Sequence, residues 1–371
     1  MKRRLAALLL MACSLAGAEQ EMTFENTNFT LTLPVVETDE RAWYNYNRFR
    51  ITAHVREENW FATAIGDLQH HLGRAVVRSD AFTAADALRS DTPFATRTEA
   101  VEYGEGRLYG RLYRLYGGYA DERHRVSAGL QKISMGVGRI WNPTDLFNPK
   151  NPLALEPDEV DGVFALAYTY APGTLSQIGA VAAQRADGSF KYAARAKGYL
   201  SVADAALNAI EADDVRMIGY ELEGELMSTG VELRSEGGWF EDKLLRTRFF
   251  QGVAGGDYTF ENTLSVTLEW LYTSRTFERE PDLPAGAPDN RVRSRGYGGA
   301  AAGYEFDPLL YGTLSAIISA RDGSFYLAPA LRYSLDDDMS LGVGGMFYGG
   351  EPQSEFGSYG QSGYVNLRVT F

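Results

Sequence analysis

The chain has 371 residues, 45% of them hydrophobic by type, with 49 acidic against 36 basic side chains and a formal net charge of −13. Such an acid excess excludes a general nucleic-acid binder, which needs basic patches. The single cysteine, Cys13, excludes a disulfide framework and a cysteine-built metal site.

At the N-terminus, Lys2, Arg3 and Arg4 precede the uncharged run LAALLLMACSLAGA, and Ala16-Gly17-Ala18 is a small-x-small cleavage pattern. This predicts a cleaved secretory leader over 1–18. Its apolar run is too short to cross a bilayer as a helix. A lipoprotein reading at Cys13 is the lesser alternative, because Leu10-Met11-Ala12 fits it poorly. Cleavage removes the cysteine and three basic residues, so the exported chain, 19–371, is thiol-free and more acidic still.

From residue 22 onward the pattern has period two. In RFRITAHV, Phe49, Ile51, Ala53 and Val55 share one face, and Arg48, Arg50, Thr52 and His54 the other. In IGYELEGEL the apolar set is Ile218, Tyr220, Leu222 and Leu226, opposite Glu221, Glu223 and Glu225. LSVTLEWLY sets Leu264, Val266, Leu268, Trp270 and Tyr272 against Ser265, Thr267 and Glu269. The last strand sets Val365, Leu367, Val369 and Phe371 against Tyr364, Asn366, Arg368 and Thr370. A soluble sandwich turns its charged face to water and its apolar face to a shared core. A membrane barrel turns apolar residues to lipid and charges to a wet lumen.

About 18 such strands fit up to the C-terminus, one of them over 124–134, with 16 or 14 also open. The odd connections 34–44, 71–106, 135–161, 239–245, 275–294 and 350–361 are long and mostly polar. The even ones, such as Glu57-Glu58-Asn59 and Phe306-Asp307-Pro308, are short. Long loops at one end and short turns at the other are the habit of outer-membrane barrels. The expected architecture is an all-β, antiparallel, up-and-down transmembrane barrel, one domain over 19–371.

Within it, Thr83–Asp91 reads as a helical turn ended by Pro93. Asp187-Gly188 and Asp322-Gly323 read as two-residue hairpins. They close two echoes, GTLSQIGAVAAQRADGSF and GTLSAIISARDGSF, which reflect hairpin likeness more than duplication. Tyr103, Tyr109, Tyr113, Trp239, Phe240, Trp270, Tyr272, Phe347 and Tyr348 read as interfacial girdles, with sugar stacking as the sharper alternative. The glycines of 104–106 and 252–256 read as structural.

One connection breaks the rhythm. GVGRIWNPTDLFNPKNPLALEPDEVDGV, residues 136–163, carries prolines at 143, 149, 152 and 157. Proline has no N–H to extend a sheet. Yet Trp141, Leu146, Phe147, Leu153 and Leu155 are too apolar for a solvated loop. Residues 135–161 are therefore expected to fold inward and narrow the lumen, with packing on the rim as the alternative. Arg139, Trp141, Asn142, Asp145, Asn148, Asp158 and Glu159 would line or brace the constriction. Arg48, Arg50, His54, Glu221, Glu223, Glu225, Glu232, Arg234, Glu269 and Arg368 are expected to line the lumen. That set is mixed in sign, and the acidic total weakly suggests a cation preference.

GRIWNPTDLFNP, DGSFYLAPALRYSL, SEFG at 354–357 and the final LRVTF resemble porin-like outer-membrane β-barrel proteins of Gram-negative bacteria. More narrowly they resemble a poorly characterised group with a WNPTDLFNP-type segment, the only part specific in its residues. The resemblance implies an outer-membrane channel and supplies no substrate. Passive diffusion of small hydrophilic solutes or ions is the function expected. The implied partners are outer-membrane lipid and lipopolysaccharide, and the barrel-assembly machinery reading the strand that ends at Phe371. A homo-oligomer is compatible. A plugged barrel serving structure, assembly or surface-polymer export is the alternative. A barrel-embedded hydrolase ranks below both, because no spacing selects a Ser-His-Asp set or a metal site from His54, His70, His71 and His124. No catalytic residue, metal or cofactor is expected.

Overall fold

The computed structural model describes residues 18–34, 41–80, 82–83, 90–277 and 292–371. Apart from Ala18, the expected leader lies outside these residues, as does most of the 83–91 turn and of the 275–294 loop.

Strands dominate. They are β1 (Glu19–Pro34), β2 (Arg41–Glu57), β3 (Trp60–Leu72), β4 (Val101–Tyr103), β5 (Gly106–Ala120), β6 (His124–Gln131), β7 (Val163–Gly173), β8 (Ser176–Gln184), β9 (Phe190–Tyr199) and β10 (Asp204–Glu211). There follow β11 (Val215–Glu225), β12 (Glu232–Asp242), β13 (Thr247–Thr259), β14 (Ser265–Thr273), β15 (Gly296–Asp307), β16 (Leu310–Ser319), β17 (Phe325–Asp336), β18 (Met339–Gly349) and β19 (Ser362–Thr370). All 19 belong to one sheet, and β1 pairs with both β2 and β19, so the sheet closes. The pairings are antiparallel. The three-residue β4 pairs only with β5 and stands outside the ring, which leaves an 18-stranded barrel, as the alternation predicts.

The alternation sorts the two faces. On β11, Ile218 is 64% exposed to the outside while Glu221 is 1% exposed within. Leu268, Trp270 and Tyr272 on β14, and Val365 and Leu367 on β19, likewise lie exposed on the outer face. Both described ends sit on the short-turn side. Glu19 pairs with Arg56 beside the β2–β3 turn, and the Phe371 N–H donates to the Phe24 carbonyl.

Three expectations change. The Asp-Gly turns are longer than two residues: Arg185 N–H bonds the Ser189 carbonyl, and Ser319 N–H the Ser324 carbonyl. Gly188 and Gly323 take φ of 85° and 69°, and Asp187 and Asp322 accept the N–H of Ser189 and Ser324. These are looser hairpins in which glycine supplies the left-handed residue. Second, β6 stops at Gln131 rather than 134, because the chain leaves the sheet there. The β5 edge so vacated is covered by β4 and an Arg97–Arg111 bridge, which keeps it from standing open. Third, Tyr109, Tyr113 and Phe240 are buried on the inside, and Tyr348 packs against an inner cluster, so these four are not girdle residues. Trp239, Trp270, Tyr272 and Phe347 do lie exposed on the outside.

Candidate functional site: the loop across the lumen

Between β6 and β7 the chain makes an excursion, residues 132–162, although Gln131 and Val163 are themselves paired. Its first arm lies on the inner faces of β11, β12 and β14. Glu221 accepts the Gly136 N–H at 3.1 Å. Glu236 accepts the N–H groups of Val137, Gly138 and Thr144 and the Thr144 hydroxyl. Glu269 accepts those of Arg139, Ile140 and Trp141, at 2.6, 2.9 and 3.2 Å. A proline-rich segment cannot satisfy its own amides in a sheet, and here wall carboxylates satisfy them.

The elbow braces itself. The Asn142 side chain donates to the Gly138 carbonyl at 2.8 Å. Asp145 accepts from Phe147 N–H, Asn148 N–H and Met135 N–H. Asn148 accepts from Ile133 N–H at 2.7 Å and donates to the Asp161 carbonyl. Asn and Asp at intervals of three thus fix the shape of WNPTDLFNP through side-chain-to-backbone bonds. Burial pushes the Asp145 carboxyl up to about 6 despite these donors.

Its apolar residues complete the seat. Leu146, Phe147, Ile133 and Met135 pack on Ala165, Ala183, Ala193, Ile210, Met217 and Phe240 of the wall. Ile140, Trp141 and Leu153 pack against Val253, Leu271, Tyr297 and Ile317. A Cβ at Gly299 would stand 2.6 Å from the Trp141 ring, so glycine is what lets the indole lie on β15.

The second arm is held from the far wall by arginines. Arg48 forks onto Glu156 at 2.9 and 3.0 Å. Arg50 forks onto both Glu159 and Asp67. Arg111 pairs with Asp161, and Arg114 donates to the Val160 carbonyl at 2.8 Å. Arg368 reaches Glu156 at 3.4 Å. A bulge opposite Ile65/Gly66 turns the consecutive Tyr113 and Arg114 both inward, and Arg50 and Arg114 stack on the Tyr113 ring. In the ring order β2 and β12 are nine strands apart out of 18, so the anchors face each other across the barrel.

One side of the loop is left open. A cavity of about 550 Å³ lies between residues 132–135, Asp158 and the wall from β2 to β9. Its charged lining is Arg114, Arg125, Lys132 and Arg195 against the carboxylate of Asp158, with His54 beside them. Arg114 and Arg195 are engaged, the latter with Glu221. Arg125 lies over the Phe61 ring, and neither it nor Lys132 has an ion-pair partner among the described residues.

No protein-family model matches the chain, and no curated protein matches it in sequence. Solved structures do match in shape. The outer membrane protein opdK of Pseudomonas aeruginosa superposes with a TM-score of 0.62 at 8% identity, over 95% of this chain and 99% of that one. OccK5 (OpdH) of the same species gives 0.61 at 10% identity, over 95% and 98%. OccAB2 of Acinetobacter baumannii gives 0.60 at 10% identity, over the same shares. The chain has their barrel fold.

Within that fold the residues singled out by sequence fall into distinct places. Of the constriction set, Arg139 and Asp158 present exposed side chains, and Arg139 reaches Glu223 at 3.2 Å and Glu232 at 3.8 Å. Asn142, Asp145 and Asn148 brace the loop internally, Trp141 seats it on the wall, and Glu159 is an anchor. Of the lumen set, Arg48, Arg50, Glu221, Glu269 and Arg368 also hold the loop. Arg234 pairs with Asp257, close to Glu223, Glu232 and Glu269. His54 bonds Thr63 and lines the cavity. Glu225 accepts the Gly230 N–H at a short turn. Sequence reading passed over Glu236, Glu156 and Asp161. Period-two parity with Glu232 and Arg234 is the signal that would have found Glu236.

The far anchor titrates. Burial raises the Glu159 carboxyl, but the Arg50 hydrogen bonds and the Arg48 charge outweigh it and bring it from 4.5 down to about 2. A lowered carboxylate stabilises the seated arm above pH 4.5, and that contribution is lost as pH falls toward 2. Asp145, being raised, contributes with the opposite sign, so the two are separated by substitution. Acidification through this window should loosen the second arm of the wild type, read as amide hydrogen exchange over 156–161 corrected for its intrinsic pH dependence, and Glu159→Gln should flatten that dependence. Equal slopes for the two proteins would refute the assignment.

Proposed function

We propose that this chain is a channel of the bacterial outer membrane through which small hydrophilic solutes diffuse, with the loop over 132–162 as its filter. The observation that carries the reading is a closed barrel, apolar outside and charged inside, whose crossing loop leaves a cavity of mixed polar and apolar lining beside it. The shape shared with an outer membrane protein and the WNPTDLFNP segment support this placement, and the segment supports kinship with the group that carries it. On the same reading β19 with the exposed Phe371 is the strand that assembly machinery would meet.

The selectivity differs from that suggested by net charge. Glu221, Glu236 and Glu269 are occupied with backbone N–H groups, and Glu156 and Glu159 with arginine. The cavity is left with Arg125 and Lys132, which have no ion-pair partner among the described residues, so the channel prefers anions. Reversal potentials across a salt gradient in planar bilayers test this. An anion preference is expected, weakened or inverted in Arg125→Glu/Lys132→Glu, and cation selectivity of the wild type would overturn it. Inserted protein that never passes current would instead favour the plugged barrel, for which the apolar packing of Leu146 and Phe147 inside the lumen is the supporting observation.

A further inference from the structure

Among the described residues, the outer face of the barrel has one polar seam. Thr27 and Arg48 point into the lumen, so their neighbours Asn26, Asn28, Thr30, Thr32, Asn45 and Asn47 point out. On β1 the outward positions from Asn26 to Thr32 are thus all polar. The adjoining outward residues of β19, paired with Asn26, Asn28 and Thr30, are Val369, Leu367 and Val365. Elsewhere the outward face carries residues such as Leu207, Ile218, Leu268 and Val343.

The amides form reciprocal pairs. Asn26 and Asn47 exchange hydrogen bonds at 3.3 and 3.1 Å, and Asn28 and Asn45 at 3.2 and 3.0 Å. Asn45 also donates to the Thr30 hydroxyl at 2.9 Å. Each primary amide has two N–H donors. One N–H on each of Asn26, Asn28 and Asn47 therefore has no partner among the described residues. Hydrocarbon offers none, and there an unmet donor is costly.

We propose that this β1–β2 seam is the contact between copies of this chain within the membrane. The inference rests on the membrane placement proposed above. The seam is neutral and carries donors and acceptors in equal kind, so an identical seam, brought up by symmetry, complements it. A lipid tail cannot, and a charged headgroup finds no counter-charge among the amides. Beside the seam, outward Ala53 and Ala64 are paired across β2 and β3, and Ala62 and Gly66 stand opposite Val55 and Ile51, so β3 presents little bulk there and a second wall can approach it.

Two measurements test it. Subunit counting by photobleaching in lipid bilayers should find oligomers of the wild type and monomers of Asn26→Leu/Asn28→Leu/Asn45→Leu/Asn47→Leu, whose heat-modifiable mobility reports an intact barrel. In a Cys13→Ser background, Asn28→Cys should form an inter-subunit disulfide on oxidation, while Leu268→Cys on β14 should not. A monomeric wild type, or association that survives the leucine variant, overturns the seam as an interface. Conductance of the same preparations separates the two readings: a conducting monomer sinks only this inference, and a silent oligomer only the channel.

Discussion

Replacing residues 134–160 with a short Gly-Ser turn is expected to raise single-channel conductance roughly threefold or more, because an 18-stranded ring with no crossing loop encloses an aqueous channel. The barrel should tolerate the change. Gln131 and Val163 already pair at the point where the chain leaves the sheet, so a turn can join β6 to β7 without altering a register. The wall charges released by the deletion face water. Arg48 and Arg50 keep Glu25 and Asp67 as partners, and Arg234 keeps Asp257. The anion preference should fall as well, since Lys132 would no longer be held beside Arg125 against the β2–β9 wall. Conductance equal to that of the intact chain would mean that the loop does not limit the current.

The barrel was legible because its two faces meet different media. A strand between lipid and a wet lumen must alternate, and RFRITAHV does so throughout, LSVTLEWLY at every position but the inward Leu271, which packs under the loop. What could not be read is what depends on the partner across the lumen. β6 ends at Gln131 because the amides of 136–144 find acceptors on β11, β12 and β14, some 85 to 130 residues further along the chain. A backbone N–H carries no residue letter, so nothing in GVGRIWNPT announces that three glutamates will hold it. The same blindness misled the reading of charge. Glu221 and Glu269 look like lining until the donors that occupy them are placed, and once they are, the net acidity says little about the passage. The inward tyrosines failed for another reason. Aromatic residues suit both a membrane interface and a packed lumen, and only parity decides: Tyr109 lies in step with Arg107 and Arg111, and the bulge at Tyr113 hides even that.

Glu236 is the single residue whose loss should most disturb the filter. It is fully buried at the middle of the barrel wall, and among the described residues its partners are three backbone N–H groups and a hydroxyl, with no cation in ion-pair reach. Glu236→Ala leaves those four donors facing an empty site, at about 1–3 kcal/mol for each buried group left unpaired. That sum exceeds what the packing of Leu146 or Phe147 contributes singly, roughly 1.5–3 kcal/mol each. The first arm should therefore leave the wall while the Arg48 and Arg50 anchors hold the second. Glu236→Gln is the more telling change. It keeps the shape but sets an amide NH2 against the N–H groups of Val137 and Gly138, or against Thr144 if it turns over. Both variants should show flickering, enlarged currents and a new tryptic cut after Arg139 or Lys150. Glu225→Ala, at its short turn, should behave as wild type. A Glu236→Gln channel as quiet and as protease-resistant as the parent would show that the loop is seated by its apolar residues alone, and that the carboxylates merely accompany it.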